Sequence, residues 1–117
     1  MLVIILREKI TIDKLKTIET ETFFEDMIKA VVDIEQEIIA VNAELHSDLE
    51  QLLLESGSSQ QKLYGINILL DEKEIEFDSL INPPRNREAG FPRAGRSVAD
   101  PVARQKIEET VNRWIEM

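Results

Sequence analysis

The stretch from Tyr64 to Ile81 is the part of this sequence that leaves the chain least freedom. Tyr64, Ile66, Ile68 and Leu70 recur at every second position, and Ile75, Phe77 and Ile81 resume the alternation after a gap. Side chains of an extended strand point alternately to its two faces, so each run presents one apolar face. Asp71-Glu72-Lys73-Glu74 between them has the length and polarity of a four-residue hairpin loop, which predicts two antiparallel neighbours on a shared core. Asn67, Asp78 and Asn82 then fall on the opposite face and read as solvated positions.

A lone hairpin is not stable in water, so the rest of the chain must cover its apolar face. Leu2-Val-Ile-Ile-Leu6 is a short, continuous, β-branched run, as expected of a central strand covered on both sides. Thr11 is a good N-cap for a helix to about Thr20 along Ile12, Leu15 and Ile18. Thr22-Phe-Phe-Glu25 has capping-box form, with Phe23, Phe24, Met27 and Ile28 as its apolar contacts. From Val31 to Val41, apolar Val32, Ile34 and Ile38 alternate with Asp33, Glu35 and Glu37, and the phase slips at Ile38-Ile39. Two strands meeting near Glu35-Gln36, or one bulged strand, explain the slip better than the competing helix through Ile28, Val31, Val32, Glu35 and Ile38-Ile39.

Ser47-Asp-Leu-Glu50 is a second capping box, opening a helix from Asp48 to Glu55 that stops at Gly57. Ser56-Gly-Ser-Ser59 is a turn, since no nucleophile-elbow pattern surrounds its hydroxyls. Asp100-Pro101 starts a terminal amphipathic helix striped by Ala103, Ile107, Val111, Trp114 and Ile115. The aromatics Phe23, Phe24 and Trp114 sit inside such stripes and are assigned to packing. The 117 residues therefore form a single α+β domain, residues 1–117, with a mixed or antiparallel sheet of about five strands and two to four helices.

Composition limits chemistry more than it limits fold. With no cysteine, the chain has no disulfide, thiolate zinc site, iron–sulfur cluster or cysteine nucleophile. The first apolar run lacks the basic flank and the length of a signal peptide or membrane span, which makes a cytoplasmic address the expectation and a membrane role unexpected. A net charge of −9 disfavours nucleic acid, whose non-specific binding needs basic surface. The charge is unevenly spread: Pro83 to Ser97 holds Arg85, Arg87, Arg93 and Arg96 against Glu88 alone, so this stretch is +3 and the remainder −12. Pro83, Pro84, Gly90, Pro92 and Gly95 also fall within it, which reads as a long Arg/Pro/Gly-rich loop at 83–97.

Two candidate sites follow. If Glu44-Leu-His46-Ser-Asp48 is extended, its spacing of two puts both carboxylates and the only histidine on one face, a set able to hold a divalent metal or to orient a general base. The competing assignment makes Ser47 a helix cap, which breaks that geometry. The second candidate is the arginine segment: Arg85, Arg87, Arg93 and Arg96 present forked donors suited to phosphate or carboxylate. Nucleotide-loop patterns are absent, and no cofactor is expected.

Val31-Val-Asp-Ile-Glu35, Glu44-Leu-His46, Leu52-Leu-Leu-Glu-Ser-Gly-Ser58, Gln61, Tyr64-Gly-Ile-Asn67, Ile75-Glu-Phe77, Ser79-Leu-Ile-Asn82 and Gly95-Arg-Ser97 form a distinctive set. In these residues the chain resembles a family of short, uncharacterised bacterial and archaeal proteins classed as a domain of unknown function, over about Lys29 to Ile115. That family carries glycines where this chain has Asn42-Ala43, and a shorter loop before Arg-Ser. The resemblance implies no activity and no cofactor, and it draws attention to His46 and Arg96. The leading expectation is a non-catalytic binding module that uses the arginine segment on an anionic small molecule or an acidic protein surface. A small metal-assisted or acid–base hydrolase centred on His46 is the alternative, and a structural subunit of a homo-oligomer is the third.

Overall fold

The computed structural model describes residues 4–17 and 26–117. Its main sheet has five antiparallel strands: β1 (Ile4–Leu6), β3 (Met27–Asp33), β4 (Ile38–Val41), β5 (Leu63–Leu69) and β6 (Glu74–Glu76), in the order β1-β4-β3-β5-β6. Two short strands, β2 (Ile10–Thr11) and β7 (Ile115–Glu116), pair in parallel as a separate ribbon. Four helices, α1 (Ile12–Thr17), α2 (His46–Glu55), α3 (Asn82–Glu88) and α4 (Pro101–Trp114), complete an α+β fold. No helix among the described residues is long and apolar enough to cross a membrane.

Both faces of the sheet are covered. On one, Ala30, Val32, Ile39, Val41, Ile66 and Ile68 meet Leu15 of α1 and Ala103, Ile107 and Val111 of α4. On the other, Val31, Ile38, Ala40 and Leu63 meet Leu49 and Leu53 of α2. Full burial of each such leucine stabilises the fold by about 1.5 to 3 kcal/mol. Burial on both faces also explains why β3, β4 and β5 run apolar almost without interruption.

The slip at Ile38-Ile39 marks two strands and not a helix. The β3–β4 connection is closed by the buried Asp33 carboxylate, which accepts the Glu35 and Gln36 amides at 2.8 and 3.0 Å and the Ser58 hydroxyl at 2.6 Å. Asp100 caps α4 by accepting the Val102 amide at 3.0 Å, and Thr11 caps α1 through the Lys14 amide at 3.0 Å. The β5–β6 connection is Leu70–Lys73, one residue earlier than the alternation suggests.

Four expectations are corrected. Leu6 and Ile5 do pack to opposite faces, yet β1 lies at the sheet edge among the described residues and is not central. Met27 and Ile28 open β3 and do not continue a helix from Thr22; Thr22 to Glu25, and Phe23 and Phe24 with them, lie outside the described residues. Helix α2 starts at His46 behind an extended Leu45, so Ser47 is its second residue and not its cap. The segment read as a loop at 83–97 begins as helix α3, because Pro83 and Pro84 occupy first-turn positions whose amides need no partner within the helix.

Candidate functional site

Helix α2 buries His46, Leu49 and Leu53, a stripe at helical spacing, against the sheet. The two leucines form apolar contacts, whereas the imidazole reaches β5, where His46 Nε2 lies 2.7 Å from the Ile66 carbonyl oxygen. A carbonyl can only accept, so Nε2 carries the proton. Burial holds His46 below its ordinary 6.5; the Ile66 hydrogen bond and Asp78 act the other way, while Lys29 and Arg96 add to the lowering. The ring is thus neutral near pH 7, and its lone pair sits on Nδ1.

The imidazole fits there because residue 65 is glycine. A Cβ at this position would stand 2.3 Å from Ser79 Oγ and 3.2 Å from His46 Cδ2. Strand β6 pairs with β5 only from Asn67 to Leu69, which leaves the backbone of Gly65 open on that edge. Asn82 fills the gap: its Oδ1 accepts the Gly65 amide at 2.8 Å, and its Nδ2 donates to the carbonyls of Gly65 and Arg96, each at 2.9 Å. The Ser79 amide donates to the Arg96 carbonyl as well, at 3.0 Å. One turn later Asn86 donates to the carbonyls of Gly95 and Ser97 at 3.0 and 2.6 Å and accepts the Ala99 amide at 3.2 Å. Two side chains of α3 therefore hold the following segment by its main chain.

This frame brings Arg96 to the N-terminal end of α2. Lys29, His46, Ser47, Ser79 and Arg96 line one cleft of about 120 Å³. Lys29 comes from β3 and Arg96 from the segment after α3. Among the described residues no carboxylate lines the cleft, and Asp78 holds Arg96 Nε at 2.8 Å from its side. Across the ladder from Lys29 lies Asn67, whose amide donates to Glu76 at 2.7 Å. Its Oδ1 is the buried side-chain atom without a hydrogen-bond partner among the described residues. A larger hollow of about 660 Å³ runs along Ile5 to Thr11, but consecutive residues with charges of both signs form it and gather no convergent set.

The residues singled out in the sequence separate accordingly. His46 and Arg96, read as parts of two sites, share one. Glu44 and Asp48 are exposed while His46 is buried, and with His46 and Asp48 both in α2 a spacing of two no longer gives a common face. Among the described residues no group of three or more His, Asp or Glu side chains gathers as a metal set. Arg85 is buried under α3 and is not a free loop donor. Its Nε donates to the carbonyls of Gln60 and Leu63, its Nη1 to that of Ile81, and its Nη2 pairs with Glu50. Arg87 and Arg93 are exposed and away from the cleft lining. Asn67 and Asn82, read as solvated, are 2% and 0% exposed. Gly65 and Ser79 figure in the sequence only within the motifs of the resemblance, and Lys29 only as its start, none as a site residue, although a glycine inside a strand pattern is the usual mark of close approach by another group.

Residues 4–114, which include every group named above, match the family model described as a protein of unknown function (DUF5674). The chain belongs to this family. The match begins ahead of Lys29 and takes in β1, α1 and all of α4, so the DUF5674 unit is the whole two-faced sheet with its helices. No curated protein matches the chain, and no solved structure does. In the DUF5674 chain Asn42 has φ of 76°, the left-handed region that glycine enters freely and that asparagine tolerates better than most residues.

Proposed function

We propose that this chain is a cytoplasmic, non-catalytic binding module whose cleft between α2, β3 and Arg96 holds a small anion. One observation carries the reading: Lys29 and Arg96, from distant parts of the chain, line one small cleft with two serines beside them and, among the described residues, no carboxylate. Charge-assisted hydrogen bonds of this kind are about twice as strong as neutral ones, and a planar guanidinium adds geometric selection. Arginine recognition thus rests on Arg96 alone among the four arginines first singled out. The hydrolase alternative retains only the imidazole, because Glu44 and Asp48 do not join it.

Calorimetric titration with inorganic phosphate and with acetate at physiological salt tests the reading. Wild type is expected to bind at least one of them, and Arg96→Lys to weaken it tenfold or more, because lysine keeps the charge and loses the fork. Arg87→Lys and Arg93→Lys should bind as wild type does. Weak binding erased by salt, and equal in all four proteins, would leave a diffuse charge cloud in place of a site.

A further inference from the structure

Two leucines on the edge of this cleft are placed against local preference. Leu45 is 55% exposed and occupies the N-cap position of α2, where a side-chain oxygen ordinarily accepts one of the orphan amides. It makes no cap hydrogen bond. Leu80, in the turn ahead of α3, is 74% exposed. Single exposed leucines are ordinary. These two border the same cation-lined cleft, and each stands where a polar residue would serve the fold at least as well.

We infer that the ligand is an amphiphilic carboxylate: one anionic head against Arg96 and Lys29, and an apolar body lying over Leu45 and Leu80. This deepens the anion-binding reading and rests on it. The head is small, because about 120 Å³ equals only about four water volumes at ~30 Å³ each. A carboxylate suits the cleft better than a phosphate. Its two coplanar oxygens match the fork of one guanidinium, that of Arg96, and it is the smaller of the two heads. The body belongs to a free acid and not to the end of a peptide. A peptide gains most by pairing with an open strand edge, and at Gly65 that edge is already filled by Asn82.

Titration of acetate, butyrate, hexanoate and octanoate at constant ionic strength tests this. Affinity is expected to rise two- to fourfold per added methylene, the upper value being that of full burial. Leu80→Ser and Leu45→Ser should flatten the series while leaving acetate unchanged. Val102→Ser, which removes another exposed apolar side chain outside the cleft lining, should leave the whole series intact. Equal affinity for acetate and octanoate would overturn the amphiphile and spare the anion site; no binding of any anion would remove both. Tighter binding of an acetylated dipeptide ending in leucine than of the free acids would assign the cleft to peptide termini. Concentration-dependent dimerisation abolished by Leu80→Ser would make the leucines a contact between copies of this chain and overturn the inference.

Discussion

Asn82 stands beside Gly65 as a strand residue would, accepting its amide at 2.8 Å and donating to its carbonyl at 2.9 Å. One carboxamide thereby continues the ladder past the end of β6 and also ties down the Arg96 carbonyl. Asn82→Ala removes three hydrogen bonds, two of them buried, and orphans main-chain groups, so a loss of about 2 to 4 kcal/mol is expected in urea denaturation. Anion affinity should fall with it, since Arg96 is released.

The contact between Gly65 and Ser79 predicts a non-additive pair. Gly65→Ala puts a methyl 2.4 Å from Ser79 Cβ, which something must yield to. About 1 to 3 kcal/mol of destabilisation is expected from such overpacking. Ser79→Gly in the same chain removes the obstacle, and the double variant should be more stable than the sum of the single effects by at least about 1 kcal/mol. Strict additivity would show that the strain is absorbed elsewhere.

Arg85 and Arg93 are predicted to part company. Arg85 places its fork on three carbonyls and Glu50 inside the fold, whereas Arg93 is exposed. Arg85→Ala leaves Glu50 and those carbonyls without their donor, for an expected loss of about 3 to 5 kcal/mol. Arg93→Ala should unfold at the same denaturant concentration as wild type.

His46 makes stability fall in acid. Its folded pKa is lowered from 6.5 by burial, so the unfolded chain binds the proton more readily. The contribution is complete above 6.5 and is lost as pH falls through the depressed folded value. Stability measured from pH 8 to pH 5 should therefore decline, and the decline should be shallower in His46→Gln by the share of this one proton. Identical slopes would mean the imidazole is not held neutral.

Leu45 is predicted to be a site where stability and binding conflict. Leu45→Ser supplies the missing cap oxygen at α2 and removes exposed apolar surface, so the folded state should gain about 0.5 to 1 kcal/mol. The same change should remove the chain-length dependence of carboxylate binding. A destabilised Leu45→Ser would show the leucine to be a packing residue.

What could be read in the sequence was whatever depends on local pattern. The phase slip at Ile38-Ile39, the alternation through Ile66 and Ile68 and the Asp100-Pro101 helix start each reflect a few adjacent residues, and each is present in the fold. Burial of a polar residue leaves no such trace: Asn67 in β5 and Asn82 at the start of α3 give the same alternation whether or not they are covered. Pro83 and Pro84 look like helix breakers until they are placed in a first turn, where the same ring is favourable. Strand composition reported that β1 is covered on both faces but not which neighbours it pairs with. His46 and Arg96 were each visible as unusual residues. Their meeting, and the inclusion of Lys29, depends on the sheet register and on Asn82, which no short window contains.

The grip of Asn82 and Asn86 on the segment that follows α3 has a practical side. Their partners there are the carbonyls of Gly95, Arg96 and Ser97 and the amide of Ala99, and none of these belongs to a side chain. The frame therefore asks little of the side chains it carries, apart from Gly95, whose φ of 65° favours glycine. Phe91, Pro92, Arg93 and Ala94 form an exchangeable insert between fixed posts, a place where new recognition sequences can be grafted while the guanidinium of Arg96 stays in register with the cleft.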